Sequence, residues 1–184
     1  YSNGNITAGE GNRITGDVWV AGGSQPTADQ ETDCQDSNCQ DFLFGKTVNG
    51  QIRLDLAQSF KPGSSGVLNK VSLKIKKFGS ASDGTVRILQ DLGGKPDKNA
   101  VLTSGTLYSS LVTSGYGWVD IAFNSSPAVT RDTTYWFLID TSSDNNNYWY
   151  WQKDIAQSYT RGLPKSSHEW YHGNAECNPF NPPE

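Results

Sequence analysis

The sequence predicts an all-β protein: an antiparallel, jelly-roll-like β-sandwich with a short Gly-rich β extension at its N-terminus. Three observations predict it. Apolar and polar residues alternate with a period of two in several short stretches, most clearly in Val71-Ser-Leu-Lys-Ile75, and that period marks a half-buried strand. Turn-forming segments separate these stretches at intervals of roughly ten residues. No stretch shows the periodicity of an amphipathic helix.

In chain order, residues 1–23 hold two related units, Gly4-Asn-Ile-Thr-Ala-Gly9 and Asn12-Arg-Ile-Thr-Gly-Asp17. Each sets one Ile before a Thr and a turn, as rungs of a β-solenoid do. Two units cannot bury a solenoid core. They are either short strands docked on the main body or the end of a longer stalk. Residues 24–41 read as a polar linker. Asp29, Asp33, Asp36 and Asp41 lie in it without the spacing of a calcium loop, and Cys34 and Cys39 bracket Gln-Asp-Ser-Asn. That pair is half a metal site or a small disulfide loop. With His168 and His172 the only histidines, a disulfide is expected. Cys177 is left over.

Residues 42–175 carry the sandwich. Phe42 and Phe44 alternate, and Ile52, Leu54 and Leu56 are expected on one face. The 71–75 strand points Val71, Leu73 and Ile75 inward and Lys74 and Lys76 outward, as a solvated face with no aromatic residues interleaved along the strand. Thr85 to Gln90 forms the next strand, with Val86 and Ile88 inward. Asp91 to Asn99 reads as a long turn region, and Val101 to Val112 as one or two weaker strands around Gly105. Val119, Ile121 and Phe123 share a core face. Thr133 to Asp140, the most apolar run, is built of β-branched and aromatic residues and is placed centrally, with one face on the core and the other under a loop. Roughly eight strands from Phe42 to Trp151 suit a jelly roll. Residues 176–184 form a Pro-rich tail.

Composition narrows the functions. The chain has 184 residues, enough for one sizeable core. A formal charge of −4 and the lack of a dense basic stripe give no reason to expect nucleic acid. No apolar run is long enough to span a membrane. There is no methionine, so Tyr1 is not a translation start, and any export signal or anchor is expected outside this chain.

For hydrolysis, Asp120, Asp132, Asp140 and Asp154 are available carboxylates, but no spacing singles out a pair held across a cleft. No serine has a nucleophile-elbow context and there is no phosphate loop. No catalytic residue, metal or cofactor is therefore expected. The strongest local signal is Tyr148-Trp-Tyr-Trp151, followed by Trp170. A strand must put two of the four rings on each face, so either Tyr148 and Tyr150 or Trp149 and Trp151 point away from the core. Outward rings would stack on sugars, with Trp149, Trp151 and Trp170 as platforms and Asp154 and Arg161 as polar clamps. Alternatively, the 153–175 segment folds over these rings as a satellite core. Asn5 and Asn124 begin N-glycosylation sequons.

One resemblance spans about residues 55–152. Leu56-Ala-Gln-Ser-Phe60, Leu68-Asn-Lys-Val-Ser-Leu-Lys-Ile75, Thr85-Val-Arg-Ile-Leu89 with Gly94-Lys-Pro-Asp97, Gly117-Trp-Val-Asp-Ile-Ala-Phe123 and Thr134-Tyr-Trp-Phe-Leu-Ile139 follow in an order that resembles bacterial extracellular β-sandwich modules of the choice-of-anchor R type. The Gly-rich start and Cys-bearing link also look like pilin-like surface proteins, although the pilin helix is absent. The resemblance implies a jelly roll, export, and a cell-surface or appendage setting. The expectation is a non-enzymatic surface module that binds a glycan or cell-surface polymer, or mediates adhesion. Two alternatives are a structural subunit that self-assembles into a filament, pilus or stalk through its N-terminal strands, and an accessory domain of an exported hydrolase.

Overall fold

The structure is a computed structural model that describes residues 18–20, 27–30, 33–34, 36–48, 50–53, 55–156, 159–167 and 178–179. Its strands are β1 (Val18–Val20), β2 (Thr27–Gln30), β3 (Cys39–Phe44), β4 (Lys46–Val48), β5 (Gln51–Arg53), β6 (Asp55–Phe60), β7 (Gly66–Phe78), β8 (Gly84–Asp91), β9 (Pro96–Leu107), β10 (Gly117–Ala122), β11 (Ala128–Val129), β12 (Tyr135–Asp140), β13 (Tyr148–Asp154), β14 (Pro164–Ser167) and β15 (Asn178–Pro179). Among the described residues there is no α-helix, so none crosses a membrane as a long apolar helix.

Two antiparallel sheets make up the body. One runs β2-β1-β7-β13-β3, with β10 and β11 also paired to β7. The other runs β15-β14-β6-β12-β8-β9. Their inward faces share one core, with Phe44, Val71, Leu73, Ile75, Ile121 and Trp149 from the first sheet and Leu56, Phe60, Val86, Ile88, Phe137 and Ile139 from the second. These are the positions that period-two alternation selects. Burying each such side chain contributes roughly 1.5–3 kcal/mol. The chain is thus an all-β sandwich.

Strand β7 is the spine of the first sheet. Val71 pairs with both Val18 of β1 and Ile121 of β10, and Ile75 with both Trp151 of β13 and Gly117 of β10. Since β10 occupies one edge, β1 and β13 follow each other along the opposite edge. Strand β12 is central in the second sheet, between β6 and β8, and all six of its residues are buried. Its inward Tyr135, Phe137 and Ile139 join the main core. Trp136 and Leu138 join Ala57 and Leu89 in a second cluster on the far face. There the Trp136 indole N–H donates to Asp91 Oδ1 at 2.7 Å.

The structure departs from the sequence reading at several elements. Val18–Val20 and Thr27–Gln30, expected in an extension and a linker, are strands of the sandwich; the solenoid-like units before Val18 lie outside the described residues. The segment expected to be a long turn is tighter: Leu92 N donates to Lys95 O, and β9 starts at Pro96 and pairs with β8. Gly105 lets β9 approach β10, because a Cβ there would collide with the Ala122 carbonyl. Ile52 does not share the core face of Leu56. It is 47% exposed on the β4–β5 hairpin, which pairs only within itself. Leu54 lies outside the described residues.

Candidate functional site

The register around β13 decides where its four aromatic residues point. Trp149 lies opposite Phe44, and Trp151 opposite Phe42 and Ile75. These partners belong to the core face, so Trp149 is only 1% exposed, and its ring lies 6.4 Å from that of Phe44. Trp151 packs against the core, 5.5 Å from Phe137. Neither can serve as the stacking platform expected of it, because the inward face of the strand is filled by the opposite sheet. Tyr148 and Tyr150 take the outward face instead.

The outward rings belong to a strip drawn from several strands. Phe78 ends β7 and is 52% exposed, and its ring stacks on Tyr148 at 5.1 Å. Tyr148 and Tyr150 lie 5.3 Å apart with their hydroxyls 3.1 Å apart. Lysines sit on these rings. Lys46 Nζ lies 3.8 Å from the Tyr148 centroid, Lys76 Nζ lies 4.6 Å from Tyr150 and 4.3 Å from Tyr116, and Lys74 Nζ lies 6.0 Å from Trp118. Cations over ring faces are attracted by the ring quadrupole. The expectation of lysines without interleaved aromatics is therefore corrected. The aromatics come from neighbouring strands, which a reading along one strand does not see.

Carboxylates complete the strip. Asp41 accepts from Lys76 at 2.8 Å and from the Tyr116 hydroxyl at 2.7 Å. Asp33 pairs with Lys74 at 3.1 Å, and Asp120 with Lys70 at 2.5 Å and with the Ser72 hydroxyl. Burial and the Asp41 hydrogen bond push the Tyr116 hydroxyl up. The hydrogen bond to Tyr148, then burial, push Tyr150 up to about 12. These hydroxyls stay protonated at neutral pH; the single O–H of Tyr116 is already given to Asp41. Burial by itself would raise the Asp120 carboxyl, but the hydrogen bonds from Lys70 and Ser72 and the Lys70 charge outweigh it, and the carboxyl lies below its usual value.

The other expected site residues do not converge on this strip. Arg161 is a clamp between loops: its guanidinium donates to Lys61 O, Pro62 O and Asp132 Oδ1 at 2.9, 3.0 and 2.7 Å. Asp154 Oδ1 accepts from Ala156 N in a local turn at the end of β13. Asn145 and Asn147, in the loop before β13, accept from Thr47 N and Ser80 N and hold loops. Trp170, Asn5, His168, His172 and Cys177 lie outside the described residues. Asn124 is exposed, with its N–H on Ser104 O.

Cys34 and Cys39 form the expected disulfide. The loop it closes is not a free linker. Cys34 is buried, and neighbouring Asp33 reaches Lys74 on the outward face. The aspartates around it work singly: Asp29 accepts from Gly63 N and Ser64 N and pins the loop after β6. Among the described residues no group of three or more His, Cys, Asp and Glu is placed to hold a metal ion. Asp132 pairs with both Arg161 and Arg131, and Asp140 with Arg87.

Sequence reasoning found the aromatic quartet and missed Phe78, Tyr116, Trp118 and Lys46 as parts of one surface. The available signal was the fixed parity of the 71–75 strand: extending it to Phe78 puts that ring on the lysine face. No family model matches the chain, and no curated protein matches it.

Proposed function

We propose that this chain is a non-enzymatic, exported surface module that binds carbohydrate through the outer face of its seven-stranded sheet. The observation that carries the reading is Phe78, half exposed and already stacked on Tyr148. The apolar C–H face of a sugar ring stacks on such a surface, and a ring held in place by its neighbour loses little freedom on binding. Tyr150 and its paired hydroxyl supply hydrogen-bonding groups at the platform edge. The Cys34–Cys39 disulfide fits an oxidising compartment and so supports export. The jelly-roll arrangement and the likeness to choice-of-anchor R modules belong to this same proposal.

The test is affinity electrophoresis against a panel of neutral and acidic polysaccharides. Retardation by at least one polymer is expected, with loss in Phe78→Ala and Tyr150→Ala while the circular dichroism stays unchanged. If no polymer retards the protein, or if neither substitution alters retardation, the reading is wrong.

A structural-subunit reading draws on β9. It is the outer strand of the second sheet, and Val101, Tyr108 and Leu111 are exposed on it and just beyond it. Open edges template pairing with a second chain. However, Asn124 and Ser125 already cap β9 at Ser104 and Thr103. Light scattering over a hundredfold concentration range separates the readings: the binding module stays monomeric and the filament subunit assembles.

A further inference from the structure

The outward strip is charge-balanced except at one end. Lys70, Lys74 and Lys76 each have a carboxylate: Asp120, Asp33 and Asp41 respectively. Lys46 has none. Its ammonium lies against the Tyr148 ring, the same ring on which exposed Phe78 stacks. A ring takes one side of an ammonium, and the group keeps N–H donors for an anion on the other.

Lys46 lies on the β4–β5 hairpin, which pairs with no other strand among the described residues. The protein's net charge is −4, so attraction of a polyanion must come from a local cation such as Lys46.

We propose, building on the carbohydrate reading, that this corner selects an anionic sugar. Phe78 carries the ring of the sugar, and Lys46 receives its carboxylate or sulfate. The ligand class is an acidic polysaccharide, and the charge-paired remainder of the strip holds neutral stretches of the same polymer.

The test compares four probes by isothermal titration on the whole chain: polygalacturonate, dextran sulfate, unmodified dextran and single-stranded DNA of matched length. Binding of polygalacturonate or dextran sulfate at least tenfold tighter than dextran and DNA is expected, and the stronger of the two tells carboxylate from sulfate. Lys46→Gln should weaken the acidic polymer at least tenfold, Lys46→Arg should retain it, and Lys98→Gln on β9 should change nothing. Preference for dextran, or indifference to Lys46→Gln, would overturn the anionic assignment and leave the carbohydrate reading intact. Equal binding of DNA would also overturn it, since charge alone would then account for attraction. Binding of none of the four, together with a silent neutral panel, would remove both readings. Circular dichroism on each variant keeps misfolding apart from lost contact.

Discussion

Strand β13 sends Trp149 and Trp151 to one side and Tyr148 and Tyr150 to the other, and the two sides use aromatic rings differently. On the inner side the rings meet Phe44, Phe42, Ile75 and Phe137 and serve as filling. On the outer side they meet Phe78, Lys46 and Lys76; Tyr148 is buried beneath these neighbours and Tyr150 is half-buried. Four adjacent aromatic residues therefore do not form one site. The inner pair holds the sheets together, and the outer pair belongs to a surface. The comparison also explains why the larger rings are inside. A core between two sheets rewards volume, whereas the outer face favours rings whose hydroxyls find a hydrogen-bond partner, as those of Tyr148 and Tyr150 do in each other.

The largest effect expected from breaking this division is on the inner side. Trp149→Ala should cost about 3–5 kcal/mol of stability, because the cavity cannot close between two rigid sheets. Urea denaturation measures it, and a loss under about 1 kcal/mol would show that the ring does not fill the core. Next in size is the tie that anchors the loop beside Lys74. Replacing Cys34 and Cys39 together by Ser should cost about 2 kcal/mol, from the entropy of the short loop they close. The same denaturation series, with and without reductant, reads it: reductant should lower the midpoint of the parent chain and leave the double variant unmoved.

Phe78→Ala sharpens the comparison from the outer side. It should change stability by less than about 1 kcal/mol while abolishing polysaccharide retardation. A large stability loss would make Phe78 a core residue in disguise. The smallest effect concerns Asp120. Its carboxyl lies below its usual value in the folded chain, so its contribution is present above about pH 4 and is lost as pH falls through the lowered value. The carboxylate is 56% exposed, so screening holds that contribution to about 0.2–1 kcal/mol. Asp120→Asn should flatten the acid limb of the stability profile slightly, and superimposable profiles from pH 2 to 7 would dismiss the effect.

Much of the fold was legible because its signals are local. Val71, Leu73 and Ile75 are all fully buried, as are Val86 and Ile88, and Lys74 and Lys76 do point outward. The Thr133–Asp140 run proved central, because a strand apolar on both faces has to be covered on both. The Cys34–Cys39 loop was readable from five-residue spacing in a polar stretch. The β4–β5 hairpin went unread, although Asn49-Gly50 between Val48 and Gln51 is a strong two-residue turn signal and Gly50 has a φ of 78°.

The site was much less legible. Arg161, expected as a polar clamp on a sugar, instead spans loops around Lys61, Pro62 and Asp132 that are distant from it in sequence. Trp149 and Trp151 were expected as sugar platforms, and they face the core instead. The sequence by itself determined that this chain makes short antiparallel strands, that each has an apolar face, and that the 148–151 quartet must divide two and two. Tertiary structure alone decided which pair went inside and which lysines met which rings. Alternation is written in adjacent residues, whereas the choice of face is made by the register with β3 and β7, strands far away along the chain.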